Sequence, residues 1–504
     1  MPARWLTLPH MTSTAKTQPI ENDRFHSRRW WILALVGVAQ LMVVLDATIV
    51  NIALPSAQKA LHFSDSDRQW IVTAYTIAFG GLLLVGGRIG DLFGRKPTLV
   101  AGLIGFAAAS AVGGTAQSFD VLAGARALQG AFGALLAPTA LSLLTTTFSD
   151  PGERGKAFGI FGAIAGGGAA VGLLLGGVLT EYLSWRWCLY VNLAFAVPAT
   201  LAAVSLLPRG LHAAKPRIDV PGTLAAVFGL FALVYGFSHA ETHGWGSPTT
   251  LGFVAAGLAL LAAFAAIQRR VAHPLLPLRV VLDRNRGGSY IAIAIVGIGM
   301  FGAFFFLTFY LQQTLGYSPV KAGVAFLPMI AAVMVSSIAT STVLLPRIGP
   351  RPLVTTGMVL SAAGMFLLTH LGVSSAYVGH VLPGLSVTGI GLGLIMAPAM
   401  NTGTVGVDAS DAGVASAMVN TMQQVGGSLG TALLSTVAAS ATTSYLAGQR
   451  PTADVVAQAT VHGYTTAFWW GVAIFAAGAI VCGLLLPSGK PQPAPGASPA
   501  PAMS

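Results

Sequence analysis

Charge is what this chain has least of. Of its 504 residues only 9% are Asp, Glu, Lys or Arg, against roughly 25% in soluble domains. The mean hydropathy is +0.73, and apolar residues make up 54%. That composition excludes an ordinary soluble enzyme and specifies an integral membrane protein. Cysteine is nearly absent: Cys188 and Cys482 fall in apolar stretches without metal-ligand spacing, so a disulfide framework is excluded and packing is the expected role of both. There is no GKS/T phosphate loop, which argues against ATP drive within the chain. No His/Asp/Glu cluster has metal spacing, so neither a metal nor another cofactor is expected.

Acidic residues number only 16 against 27 basic ones, a net charge of +11. The placement of the basic residues argues against a nucleic-acid partner. Apolar runs of about 20 residues, the length that crosses a bilayer, recur fourteen times: roughly 31–59, 70–87, 97–117, 121–147, 157–180, 187–207, 220–238, 250–267, 289–311, 322–344, 353–371, 377–399, 413–438 and 464–486. The seventh and eighth look weakest. With both termini on one side, five basic residues (Lys59, Arg68, Arg186, Lys321 and Arg450) fall on the far side, Arg126 lies within a helix, and the remaining 21 share the side of the termini. By the positive-inside rule that side is cytoplasmic, and the basicity serves topology and anionic lipid.

The first run does not resemble a cleaved signal peptide, being too long and carrying Asp46. Residues 1–29 read as a polar cytoplasmic tail whose start is Met1 or Met11, and 488–504 as a Pro/Ala-rich tail. The longest cytoplasmic connections bracket spans seven and eight. The expected organisation is therefore a six-helix bundle over 30–208, a loop with two inserted helices over 209–268, and a loop with a second six-helix bundle over 269–487. Two similar bundles around a central cavity are common among secondary transporters. FGRKP (93–97) and IGPRP (348–352) echo each other between the halves.

Asp46, in WWILALVGVAQLMVVLDATIVNIALP, is the one carboxylate expected deep inside a span. A charge there costs several kcal/mol unless paired, hydrated or protonated, so a functional site is the first reading and a packed polar contact the alternative. Span four carries Arg126 and Gln129 on one face, followed by Gly130 and Gly133. Arg126 needs an anion, and Asp46 is the candidate. The arginine favours the charged acid and burial the neutral one, a balance suited to coupling with protons.

GGRIGDLFGRKP (86–97) reads as a latch. Asp91 can pair with Arg95, and a carboxylate is drawn to a helix N-terminus; the candidate partner is the start of span thirteen, preceded by Asp408, Ser410 and Asp411. Positive-inside anchoring explains Arg95 and Lys96 but not Asp91. In span five, Gly168, Gly172 and Gly176 form a strip that suits either static packing or a sliding contact. Span thirteen places Asn420, Gln423, Gln424, Ser428 and Thr431 on one face at helical spacing. With Gln40, Asn51, Asn192, Gln312 and Gln313 they suggest a neutral polar cavity wall beside the aromatic run Phe301–Tyr310, although aromatic packing explains that run equally well. Glu181 and Arg186 read as interfacial anchors.

Taken together, LDATIVNIALP, GGRIGDLFGRKP, LAGARALQG, SWRWCLYVN and YLQQTLGYSPVKAGVAFLP resemble the motifs of the major facilitator superfamily, in its fourteen-helix drug:proton antiporter branch (EmrB/QacA-like), over roughly 30–487. The resemblance implies an all-α major-facilitator fold of two six-helix bundles plus an inserted pair. It puts Asp46 at the acidic position of the first-helix motif, Asp91, Gly94, Arg95 and Lys96 in motif A, and Arg126, Gln129 and Gly130 in motif B. Two departures stand out. Motif C has Leu173 where the family has proline, although Gly172, Gly176 and Gly177 survive. Span ten lacks the extra acid of some relatives.

The expectation is a monomeric inner-membrane exporter of amphipathic small molecules, antibiotics among them, in exchange for protons. Asp46 would carry the proton and Arg126 tune it; Asp91, Gly94, Arg95, Lys96, Gly172, Gly176 and Gly177 would gate. Gln40, Asn51, Gln129, Asn192, Gln312, Gln313, Asn420, Gln423 and Gln424 would line the substrate cavity. Alternatives are a proton-coupled transporter of one metabolite on the same fold, a channel, or a membrane-embedded enzyme.

Overall fold

A computed structural model describes residues 28–148, 150–207, 219–272, 274–404, 407, 411–486 and 488–489. Each apolar stretch coincides with one long helix: α1 (Arg29–Leu61), α2 (Asp65–Phe93), α3 (Arg95–Gly114), α4 (Phe119–Thr147), α5 (Pro151–Tyr182), α6 (Trp187–Leu206), α7 (Val220–His243) and α8 (Pro248–Arg270). After the short helix Leu278–Val281 come α9 (Arg284–Thr314), α10 (Pro319–Ile348), α11 (Pro350–Leu368), α12 (Tyr377–Thr404), α13 (Ala412–Leu446) and α14 (Ala453–Leu485). Single π turns, Tyr310–Thr314, Thr340–Leu344 and Tyr377–Val381, sit in α9, α10 and α12.

Among the described residues thirteen helices are long and apolar enough to cross a membrane. Helices α7 and α8, expected to be weakest, are among them; α13 is not, because amides and hydroxyls interrupt its apolar run. Helices also outrun their apolar cores. The fourteenth was expected at 464 and begins at Ala453, where the Thr452 hydroxyl caps the amide of Val455. Ser64, Ser118, Asp150, Asp219, Asp283 and Ser318 cap α2, α4, α5, α7, α9 and α10 in the same way. A hydropathy window does not see these polar first turns.

Packing follows a repeated scheme. Helix α2 packs on α4, α3 on α4 and α6, and α1 on α4, α5 and α6. Adding eight to each number gives the second set: α10 on α12, α11 on α12 and α14, and α9 on α12, α13 and α14. The echo between FGRKP and IGPRP has a structural counterpart. Gly94 (φ 91°) ends α2 and starts α3, and Gly349 (φ 79°) ends α10 and starts α11. Both occupy the positive-φ region that glycine enters without steric cost.

The two sets meet along two seams, α2 against α13 and α5 against α10. Helix α8 packs on α7, and α7 lies over the first seam, touching both α2 and α13. Adjacent residues of α7 take one side each. The Ser238 hydroxyl accepts from Gln69 Nε2 (3.1 Å) and Trp70 Nε1 (2.9 Å) of α2, while the Phe237 carbonyl accepts from Thr436 of α13 (2.7 Å).

Candidate functional site

Asp46 has no exposed surface. One carboxylate oxygen accepts from Arg126 Nη1 at 2.5 Å; the other accepts from Gln129 Nε2 (3.0 Å) and Asn192 Nδ2 (2.7 Å). Arg126 is also buried. Its Nε donates to the Ile71 carbonyl (3.2 Å), Nη1 donates to Gln129 Oε1 (2.9 Å), and the guanidinium stands over the Tyr75 ring, 4.4 Å from its centroid. Ser110 closes the knot, accepting from Gln129 (2.7 Å) and Asn192 (3.2 Å) and donating to its own helix at Phe106 (2.7 Å). Five helices, α1, α2, α3, α4 and α6, thus supply one polar cluster.

The energetics explain why the Asp46 carboxylate is so fully bonded. Two charges brought out of water are stable only when geometry and further hydrogen bonds compensate, and each hydrogen bond to a charged group contributes about 1.5–3 kcal/mol. The arrangement can hold a carboxylate charge in an apolar interior. A proton added to Asp46 would remove that charge and leave Arg126 in need of another anion.

Of the residues expected near Asp46, the structure brings Arg126 to it. It adds Gln129 and Asn192, which were both expected to line the substrate cavity, together with Tyr75 and Ser110, which sequence reading passed over. Ser110 was detectable only as a hydroxyl within FAAASAVGG, a weak signal. Tyr75 reads as one more aromatic in an apolar run.

The other expected residues disperse. Asn51 donates to the Ala47 carbonyl of its own helix (3.1 Å). Gln312 crosses between the halves to the Ile52 carbonyl (3.0 Å). Gln313 and Asn420 are exposed, and Gln40 is half-buried. On α13, Gln424 lies at the α2 seam, where Gly80 approaches its Cβ. Gln423 is half-buried on the same helix, and its carbonyl faces Gly297 of α9. Ser428 and Thr431 bond back to their own helix. The polar face of α13 is therefore divided among a seam, an intra-half contact and solvent. A groove between α11 and α14, lined by Ile348, Arg351, Thr355 and Gly483, contains none of the expected residues.

Of the latch residues, Arg95 and Lys96 bond to groups of the first half. Arg95 donates to Thr146 Oγ1 (2.6 Å), and Lys96 donates to the last carbonyls of α6, Val204 and Leu207 (2.6 Å each), a favourable place for a cation. The Asp91 side chain, Asp408 and Ser410 lie outside the described residues. Asp411 pairs with Arg279 (2.7 Å) of the segment that follows α8.

In α5 the glycines divide between two tasks. Gly168, Gly172 and Gly176 face α1, where an added Cβ would meet Leu41, Thr48 and Ile49. Gly177 faces α10, where a Cβ would come within 2.7 Å of the Val320 backbone. Reciprocally, a Cβ on Gly323 of α10 would lie 2.5 Å from the Leu173 carbonyl. Leu173, at the position of the family's proline, is fully buried in this contact. Glu181, read from the sequence as an interfacial anchor, bridges the same seam: its Oε2 accepts the Val320 amide at 2.9 Å.

The described part of the chain also carries the marks of known proteins. Residues 36–431 match the family model of the Major Facilitator Superfamily. The chain is 51% identical to the puromycin resistance protein of Streptomyces alboniger over 92% of both chains. It is 39% identical to a cephamycin export protein of Amycolatopsis lactamdurans (81% of this chain, 85% of that one). It is 36% identical to a tetracenomycin C resistance and export protein of Streptomyces glaucescens (82% and 76%). Among solved structures, an auto-inhibited POT family peptide transporter aligns with a TM-score of 0.66 at 17% identity, covering 90% of this chain and 96% of that one. A bacterial homologue of the lysosomal transporter Spinster, in an inward-facing and unoccupied conformation, aligns at 0.62 and 16% identity, over 91% and 96%. Sequence and fold agree: this chain is a transporter, not an enzyme, and it belongs to the major facilitator superfamily.

Proposed function

We propose that this protein exports antibiotic-like small molecules across the bacterial inner membrane in exchange for protons, by alternating access of two six-helix bundles, α1–α6 and α9–α14, with α7 and α8 as an inserted pair. The drug-efflux part rests on relatives whose names are those of resistance and export proteins. The proton part is carried by one observation: the Asp46 carboxylate is buried within α1 and held by Arg126, Gln129 and Asn192.

The coupling follows from the charge. With Asp46 ionised, the first half holds an internal ion pair that binds α1 to α4. Protonation frees Arg126 and weakens that tie, so the two protonation states favour different helix arrangements. A substrate that competes for the same state couples its movement to the proton's. Asp91 and its neighbours in the α2–α3 turn would gate the cytoplasmic side, and Gln40, Gln313, Asn420 and Gln423 would meet substrate. The bias of 21 basic residues to 5 supports cytoplasmic termini, which makes the α1–α2 turn external. The protein would act as a monomer in contact with membrane lipid.

Asp46→Asn tests the reading. In proteoliposomes with an imposed proton gradient, the variant is expected to bind substrate but to lose gradient-driven efflux, while reaching the membrane at wild-type levels. Normal pumping by Asp46→Asn would sink the mechanism. Reversing the gradient separates antiport from symport.

A further inference from the structure

We infer that Arg68 is the lock on the outer ends of the two halves, a guanidinium from the first half seated on the aromatic faces of Phe305 and Phe309 in the second, and that each transport cycle lifts it out. The inference rests on the orientation and the alternating access proposed above, but on nothing about protons or drugs.

Arg68 stands near the start of α2 with its side chain only 11% exposed. Its guanidinium carbon lies 4.1 Å from the centroid of the Phe309 ring and 5.5 Å from that of Phe305, both on α9. Tyr464 of α14, whose ring packs beside Phe306, is within range of the same charge. The remaining basic residues at this end do something else. Lys59 and Arg450 are exposed. Arg186 bonds the Ala116 carbonyl of its own half (2.7 Å), and Lys321 stands over Tyr317 of its own half (3.8 Å).

The first half also orients the cation. Asp65, one turn earlier, accepts from Arg68 Nη1 (3.3 Å) and is itself held by Gln58 of α1 (2.7 Å). Asp65 is 76% exposed, so this pair contributes direction more than stability. The attraction lies in the ring faces, where a partly desolvated cation binds well. An aromatic face also requires no hydrogen bond. When the halves part, Arg68 keeps Asp65 and gains water, and the Phe305 and Phe309 rings lose no polar partner. Such a contact holds firmly and releases without an orphaned donor, which is what a gate opened in every cycle requires. It lies at the same end as the Gln312–Ile52 and Glu181–Val320 bonds, and it is the one contact among the three that carries a net charge across the seam onto an apolar surface.

The test uses the full-length protein in nanodiscs with spin labels at Lys59→Cys and Gln449→Cys, on opposite halves; the native Cys188 and Cys482 are buried. The separation of the labels reports whether the outer ends are closed. Arg68→Gln should raise the ratio of long to short separations roughly 5- to 30-fold, the equilibrium equivalent of one partly buried cation–π contact. Arg68→Lys should fall between wild type and Arg68→Gln. Phe309→Leu should match Arg68→Gln, and the two together should do no more than either alone. Phe309→Trp, the better ring, should favour the short separation. An unchanged distribution in Arg68→Gln, or additive effects of the pair, would overturn the lock. Should Arg68→Gln fail to fold, Arg68→Lys and Phe309→Trp carry the test in opposite directions. Labelling of Lys59→Cys by an impermeant maleimide in intact cells checks the orientation separately, and failure of Asp46 as the proton site would leave all of these distances untouched.

Discussion

A single buried ion pair dominates the residue scale. Removing one member of such a pair strands the other and typically costs about 3–5 kcal/mol, whereas replacing both by apolar groups is often close to neutral. Arg126→Met should therefore lower the thermal midpoint in detergent by several degrees, because it leaves the Asp46 carboxylate buried with only Gln129 and Asn192. The double variant Asp46→Leu/Arg126→Met should recover most of that loss while remaining unable to pump. A double variant as unstable as Arg126→Met alone would show that the pair's surroundings, not its charge, set the cost. This part of the site was legible in the sequence because charge at depth is rare and two such residues have few partners to choose from. Gln129 and Asn192 were visible but assigned to a cavity wall, since an amide fits such a wall as well as a carboxylate's second oxygen. Arg68 was counted only as one external charge. Its aromatic seat lies on α9, in the other half of the chain, and no local spacing links a cation to rings at that separation.

Single helices show how a glycine's position decides which neighbour it meets. Gly168, Gly172 and Gly176 let α5 lie close on α1 inside one half. The contact between halves uses Gly177 and Gly323 instead, and there Leu173 offers its backbone carbonyl. Gly323→Val should thus force the α5–α10 seam apart and reduce efflux at least tenfold in a resistance assay with normal membrane insertion, since its Cβ cannot fit against Leu173. Gly167→Ala, whose Cβ would meet nothing within 4 Å, should pump like wild type. If both behaved alike, this seam would not govern transport. The glycine frame was readable from sequence, but which helix each glycine faces was not, because faces separated by one residue look the same until the partner helix is known. The same limit explains α13. Its polar residues were grouped on one face by spacing, and the fold distributes them among three environments.

On the scale of the whole molecule, α7 hydrogen-bonds to both halves through two neighbouring residues. Ser238→Ala with Thr436→Val removes the three hydrogen bonds that join α7 to α2 and α13, each worth roughly 0.6 kcal/mol in a membrane interior. Amide exchange in α7 around Phe237 should quicken, while exchange in the α3–α4 packing stays unchanged; a uniform quickening would mean that α7 supports the entire fold and not just its own attachment. The doubled contact scheme carries one more consequence, of parity. Helix numbers in the second set exceed those in the first by eight, a count made of six helices with counterparts and two, α7 and α8, without. An insertion of one helix would have turned the second half upside down and faced Gly349 to the opposite side from Gly94. An insertion of two returns the chain to the side it left, so the halves keep the same sense, and a chain of this design can lengthen in its middle only by even steps.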